Sequence, residues 1–352
     1  MRTLSPVFPL VLLLACTGDK PALPDTGPDV VACEELDRVA MLEHVIDGTA
    51  TDCELVGFEA FVEERKGDNG PWKQDIQMAF SEDASTFVAL EGVVIETAAV
   101  PEVVATDDGR FWLYYVDGRY DHALELANER STWMLTHGVP GLGALALAVS
   151  EDGRTFTPVD DFLVDGLVRG MVVDPDVVRQ PDGTWRMYYV GMTPEEYLTS
   201  ATWTYPETHE VYWAVSDDLV HWTQQGSAVR GPYADPSVYC SEGDRCVMAS
   251  FGLEWGRSTD GGVSFTHDGA LGVDGFAPEF VRFEDESMRI FYNSSAVGAP
   301  VHTLYLGEDD IWAADGGERM PDSYGEAVTL ARAVPTGWYM WYHVFKDGSE
   351  PI

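Results

Sequence analysis

The sequence predicts an all-β chain, a five-bladed β-propeller, and two recurring phrases carry that prediction. The first is a hairpin, most complete in DPDVVRQPDGTWRMYYVG from Asp174 to Gly191. Pro175 fits a strand start, where no ladder donor is needed, and Val177 and Val178 begin the strand. Pro181-Asp182-Gly183 makes the turn, and Trp185, Met187 and Tyr189 alternate with Arg186 and Tyr188 on the return. Variants begin at Val100 (VPEVVATDDGRFWLYYVDG), Asp235 (DPSVYCSEGDRCVMAS), Ala277 (APEFVRFEDESMRIFYNSS) and Glu326 (EAVTLARAVPTGWYMWYHV). The second phrase is a strand, a Ser-x-Asp turn and an aromatic: AFSEDASTF, AVSEDGRTF, AVSDDLVHW and GRSTDGGVSF, beginning at Ala79, Ala148, Ala214 and Gly256. The unit prolines at 101, 175, 236 and 278 are 74, 61 and 42 residues apart, which suits four-stranded blades with insertions.

Composition sets the limits. At 352 residues, 45% hydrophobic and 12% aromatic, there is ample core material, and the repeats override a two-domain reading based on length. Sixty acidic against 21 basic residues give a net charge of -39, which excludes charge-driven binding to nucleic acid or anionic membranes. A solubilising acidic surface is the simplest account of that charge.

In chain order, residues 1–16 combine Arg2, an apolar run too short to span a bilayer, and a small residue before a cysteine, as in an export signal. Leu13-Leu14-Ala15-Cys16 resembles the bacterial lipoprotein box, which implies lipidation of Cys16 and a place in the bacterial cell envelope, periplasmic or cell-surface. A plain secretory signal is the alternative. Residues 17–32, rich in Pro, Asp and Gly, read as a flexible tether, 33–72 as an N-terminal cap, and 73–352 as the propeller. Four further cysteines, Cys33, Cys53, Cys240 and Cys246, suggest two disulfides in an exported chain. Three pairings exist; the local one, Cys33 with Cys53 and Cys240 with Cys246, is preferred, since the second pair flanks a turn at opposed strand positions. No His accompanies these cysteines at zinc-ligand spacing. Between the first two, EELDRVAMLEHVIDG has apolar residues at helical intervals.

The stretch from Lys73 to Phe87 has a Ser-x-Asp phrase without a preceding hairpin, and the last hairpin has no such phrase after it. Together they make one blade, closing the ring and removing an exposed edge. Ile76 to Phe80 is therefore expected to pair with the strand around Trp338 to Phe345, giving five blades.

In a propeller the starts of the inner strands converge on one mouth. Carboxylates stand there: Glu102, Asp174, Asp176, Asp235, Glu279 and Glu326. Connections between second and third strands return to the same face, and two are long. One carries Tyr120, His122 and Trp133, the other Tyr197, Trp203 and Tyr205. Aromatics overhanging acids suit sugars, which stack apolar faces on rings and bond hydroxyls to carboxylates. The Ser-x-Asp turns lie on the opposite face and are assigned to fold stability.

Those turns, especially Ser258-Thr259-Asp260-Gly261-Gly262 with Phe265, resemble the Asp box of sialidases, but the arginine cluster that would bind a sialic carboxylate is missing from the mouth residues. The larger resemblance, over roughly residues 73–345, is to five-bladed glycoside hydrolases of the arabinanase, xylosidase and invertase type, particularly family 43, through DPDVVRQPDGTWRMYYVG, ADPSVYC, APEFVRF and AVSDDLVHW. That resemblance implies an Asp base, an Asp that tunes and orients, and a Glu acid on successive inner strands. Asp174, Asp235 and Glu279 supply those types in that order. Glu279 follows its proline where the family's acid precedes one, and by position its counterparts are Asp176 and Ser237.

The expected function is hydrolysis of plant or microbial oligo- or polysaccharides by a monomeric enzyme that requires no cofactor. The acids would allow Ca²⁺ in the channel without dedicated ligand spacing. A non-catalytic glycan-binding propeller and a protein-binding propeller are the alternatives.

Overall fold

The computed structural model describes residues 36–346 apart from 67–69, 169, 200–208, 232, 242–244, 284, 286, 297, 307–311, 321–324 and 333–335. Five antiparallel sheets follow one another. Blade one runs Ala98–Ala105, Phe111–Asp117 and Gly143–Ser150, with Thr157–Pro158 outside. Blade two runs Met171–Arg179, Trp185–Met192, Glu210–Ser216 and His221–Arg230, with Leu163–Asp165 added in parallel at its edge. Blade three is Ser237–Ser241, Arg245–Ser250, Glu254–Ser258 and Thr266–Ala270; blade four is Gly275–Arg282, Met288–Ser294, Val301–Leu306 and Trp312–Met320.

Blade five joins the two ends of the propeller. Gly325–Arg332 and Trp338–Phe345 are completed by Gln74–Ser81 and Val88–Ala89, with Ile76 opposite His343 and Phe80 opposite Tyr339. The closing pairing read from the sequence is the one observed. Cys240 and Cys246 face each other across the blade-three hairpin and are bridged, Cα to Cα 4.1 Å. Cys53 is also disulfide-bonded; the pairing expected for it falls on Cys33, which lies outside the described residues, as do Cys16 and the tether.

The inner strands share a defect that aims their side chains. Val100, Asp174, Asp235 and Ala277, each just before the blade's proline, adopt left-handed φ values of 47°, 56°, 45° and 47°. Such a conformation costs a residue with a side chain about 1–3 kcal/mol. The strand register slips there, between Ala99 and Glu102, Val173 and Asp176, and Phe276 and Glu279. Such a bulge bends the strand and turns the next side chain toward the channel. Blade five slips in the same way between Glu326 and Thr329 without a proline. Thr329, rather than Glu326, is thus the fifth counterpart of Glu102, Asp176, Ser237 and Glu279. Glu326 falls at the register of Ala99, upstream of the ring, which corrects its expected place among the converging acids; its side chain lies outside the described residues.

The Ser-x-Asp turns fasten blades together on the far face. In blade one Ser150 Oγ accepts the Gly153 N–H at 2.9 Å, and Asp152 Oδ1 accepts the Arg154 and Thr155 N–H groups at 2.8 Å. The shaped turn then offers a carbonyl to the neighbouring blade. Trp341 Nε1 donates to Gly153 O at 3.2 Å, Tyr114 to Leu219 O at 2.6 Å, and Tyr188 to Gly262 O at 2.8 Å. These three donors stand opposite Thr329, Glu102 and Asp176 on their second strands. Phe291 stands opposite Glu279, and there the contact to the next turn is apolar, edge-on to Phe87 at 6.2 Å.

The described residues of the long connections are largely helical. The first folds into α3 (Tyr120–Asn128) and α4 (Met134–His137), and the second begins as α5 (Pro194–Thr199). They share one apolar core with α1 (Arg38–Ile46) and α2 (Asp52–Arg65), through Met41, Leu42, Phe58, Phe61, Ala123, Leu126 and Met134. The helix expected between Cys33 and Cys53 is α1, started by Asp37, whose carboxylate accepts the Val39 N–H at 3.0 Å. A Thr51–Glu54 capping box starts α2.

Candidate active site

Four post-proline side chains, with Thr329 at the matching register of blade five, form a ring around the axis. Glu102 Oε1 accepts the Val177 N–H at 3.2 Å, Asp176 Oδ2 that of Val238 at 3.1 Å, Ser237 Oγ that of Phe280 at 3.0 Å, and Thr329 Oγ1 that of Val103 at 3.1 Å. Each bond runs from a ring residue to the backbone just after its counterpart in the next blade. Hydroxyls link the acids sideways: Ser237 donates to Glu279 at 3.2 Å and Thr329 to Glu102 at 3.0 Å.

A second tier lies at the pre-proline positions. Asp174 Oδ2 accepts the Asp235 N–H at 3.1 Å, and His343 Nδ1 accepts that of Val100 at 3.0 Å. His343 is buried on the second strand of blade five, and accepting at Nδ1 leaves its proton on Nε2. Only Asp174 and Asp235 carry acids in this tier, where blades one and four have Val100 and Ala277. The acids of both tiers, Glu102, Asp174, Asp176, Asp235 and Glu279, line one opening of about 30 Å³, room for about two waters. A sugar ring does not fit inside, so a glycan meeting these acids lies across the opening.

Burial and crowding set the charge. Desolvation pushes Glu102 up to about 7 against the bonds from Val177 and Thr329, and pushes Asp174 up to about 6 against the bond from Asp235. Asp176 and Glu279 are driven well above the usual carboxylate range, first by burial, then by the other acids of the ring. Oxygens of Glu102, Asp176 and Glu279 also lie within 4.8 Å of one another, with Ser237 and Thr329 hydroxyls beside them. This all-oxygen donor set fits a hard cation such as Ca²⁺, completed by water, which would hold the acids ionised.

The sequence-derived residues divide accordingly. Glu102, Asp174, Asp176, Asp235 and Glu279 converge as expected. Tyr120 and Tyr197 do not overhang the mouth: they are 4% and 6% exposed in the helical core, Tyr120 against Trp72 and Tyr197 under the Arg65 guanidinium. Trp133 is half-buried with one face covered by His137, whose ring stacks on it at 3.7 Å. Trp203 and Tyr205 lie outside the described residues. Ser237, Thr329 and His343 are the mouth residues that motif reading did not assign to the site. The register after Pro236 pointed to Ser237, whereas Thr329 and His343 follow no proline.

No protein-family model matches the chain, and no curated protein matches it in sequence. Among solved structures it is similar to an α-L-arabinofuranosidase from Lactobacillus brevis, with 13% identity and a TM-score of 0.50, over 70% of this chain and 82% of that one. It is also similar to an N-acetylgalactosamine deacetylase from F. plautii in complex with blood group B trisaccharide, with 12% identity and a TM-score of 0.51, over 76% and 85%. A thermostable family-43 glycoside hydrolase aligns at 15% identity with a TM-score of 0.48, over 71% and 88%. At these identities the likeness is one of fold, and the five-bladed propeller expected from the family-43 resemblance is the fold observed.

Proposed function

We propose that this chain hydrolyses glycosidic bonds at the channel mouth, with Asp174 as the base that activates water, Glu279 as the acid that protonates the leaving oxygen, and Asp235 as the neighbour that tunes them. One observation supports this above the others: two carboxyls at one opening are tuned differently, Asp174 raised by burial to about 6 and Glu279 driven well above its ordinary value by burial and the acids beside it. Acid and base catalysis of glycoside cleavage needs that division of roles. Water loses its proton to Asp174 as its oxygen bonds the anomeric carbon, while Glu279 gives its proton to the departing sugar oxygen. Turnover should fall below pH about 6, as Asp174 takes up a proton. On arabino- or xylo-oligosaccharides, Asp174→Asn and Glu279→Gln should each lower turnover by about a hundredfold or more with folding intact.

A non-catalytic glycan-binding propeller is the second reading. It is favoured by the position of Glu279, one residue past Pro278 and engaged by Ser237, while Ala277 stands in the upper tier. Wild-type protein that binds such glycans and releases no sugar would establish it. The lipoprotein-like leader supports a place in the bacterial envelope through lipid on Cys16. Mass spectrometry of the mature N-terminus tests this, and an unmodified Cys16 would refute it.

A further inference from the structure

The first long connection holds a pair of nitrogen groups that the proposed reaction does not use. Asp117 ends the second strand of blade one, opposite Ala98 and so on the mouth face, with its side chain 1% exposed. Arg119 grips it twice, Nε to Oδ1 at 2.9 Å and Nη2 to Oδ2 at 2.7 Å, and His122 Nδ1 lies 3.1 Å from Oδ2. A buried carboxylate is tolerated only when it is so paired. Here burial pushes Asp117 up, His122 and Arg119 pull it down, and the net shift is downward.

The grip orients both partners. With Nε and Nη2 committed, Arg119 keeps Nη1 without a hydrogen-bonding partner among the described residues, on a side chain 54% exposed. If His122 donates through Nδ1–H, its Nε2 keeps an open lone pair, also without such a partner among the described residues, on a side chain 25% exposed. Arg119 is the N-cap residue of α3 but makes no side-chain cap, so helix capping does not account for the arrangement. In a chain with 60 acidic and 21 basic residues, a pre-set guanidinium beside an imidazole on the mouth face is a local exception to the charge.

We propose that Arg119 and His122 form a subsite for an acidic sugar in the glycan that crosses the mouth, Arg119 Nη1 donating to a carboxylate or sulfate ester and His122 Nε2 accepting a neighbouring hydroxyl. This rests on the glycan reading above but not on hydrolysis. Arginine suits the role because its planar fork stays fixed while a charge-assisted bond forms.

Calorimetric titration of the full chain with oligouronides, sulfated galactan oligosaccharides and neutral xylo-oligosaccharides of equal length tests it. One acidic class should bind at least about tenfold tighter than the neutral one, and the preferred class identifies the anion. Raising the salt should shrink the preference. Arg119→Lys, which keeps a cation beside Asp117, and His122→Gln should each reduce it, measured at a temperature where circular dichroism shows the variants folded. Equal affinity for acidic and neutral glycans overturns the subsite, as does a preference that survives both substitutions. Acidic glycan bound but never cleaved overturns the hydrolase reading and leaves the subsite standing; cleavage of neutral glycans without acidic preference does the reverse.

Discussion

Glu102 shows how a single buried carboxyl sets a pH dependence opposite to that of the surface acids. Its folded pKa is about 7 against an ordinary 4.5, so the folded state holds the proton more tightly than the unfolded chain. The stability it contributes is complete below pH 4.5 and is lost as pH rises to about 7. Asp260, in a Ser-x-Asp turn, is held down to about 2 against its desolvation by bonds from Ser258 and Ser264, so its contribution is lost as pH falls from about 4 to 2. Denaturant unfolding should therefore show stability declining between pH 4.5 and 7 in the wild type. Glu102→Gln, which fixes the neutral form, should flatten that decline, with a difference on the order of 1–3 kcal/mol at pH 8. An unchanged slope in the variant would remove Glu102 as its cause.

At the scale of elements, the turns and second strands work as pairs, and the pairing explains why the Ser-x-Asp phrase recurs. Tyr188 reaches the Gly262 carbonyl only because Ser258 accepts the Gly262 N–H at 2.8 Å and so fixes the turn. Tyr188→Phe should cost about 1 kcal/mol by chemical denaturation. Ser258→Ala should cost at least as much, and the double variant should cost less than the sum, because one contact is lost in both. Strict additivity would separate the two residues. The turns and hairpins were legible in the sequence because their alternation and their Asp-Pro and Pro-Asp-Gly signals are local. The acids of the mouth were legible for the same reason. Thr329 was not, because its place is set by a register slip with no proline to mark it. Nor was the burial of Tyr120 foreseen. The spacing of Tyr120, Ala123, Leu126 and Ala127 in YDHALELAN is helical, yet in an insertion between strands the aromatics read as surface groups.

The whole molecule depends on one non-covalent seam, where a strand near the N-terminal end of the propeller is laid between the last hairpin and the outer Val88–Ala89 strand. The seam runs the full length of Gln74–Ser81, and Ile76 at its centre is fully buried together with Trp341 and Phe111. Opening it would expose the edge of Trp338–Phe345, leave the ladder of that strand unpaired and free the inner ring at Thr329, whose hydroxyl holds the Val103 N–H of blade one. Ile76→Asp places an unpaired charge there and Ile76→Ala leaves a void costing about 2–5 kcal/mol. Val211 is equally buried but sits inside blade two, away from the seam, so Val211→Ala serves as the control for simple loss of packing. Under mild protease, Ile76→Asp should be cut first within 74–96 and within the last hairpin, segments far apart in sequence, while blades two and three stay resistant. First cuts in blades two or three, or the same pattern from Val211→Ala, would show that the seam is not where the ring opens.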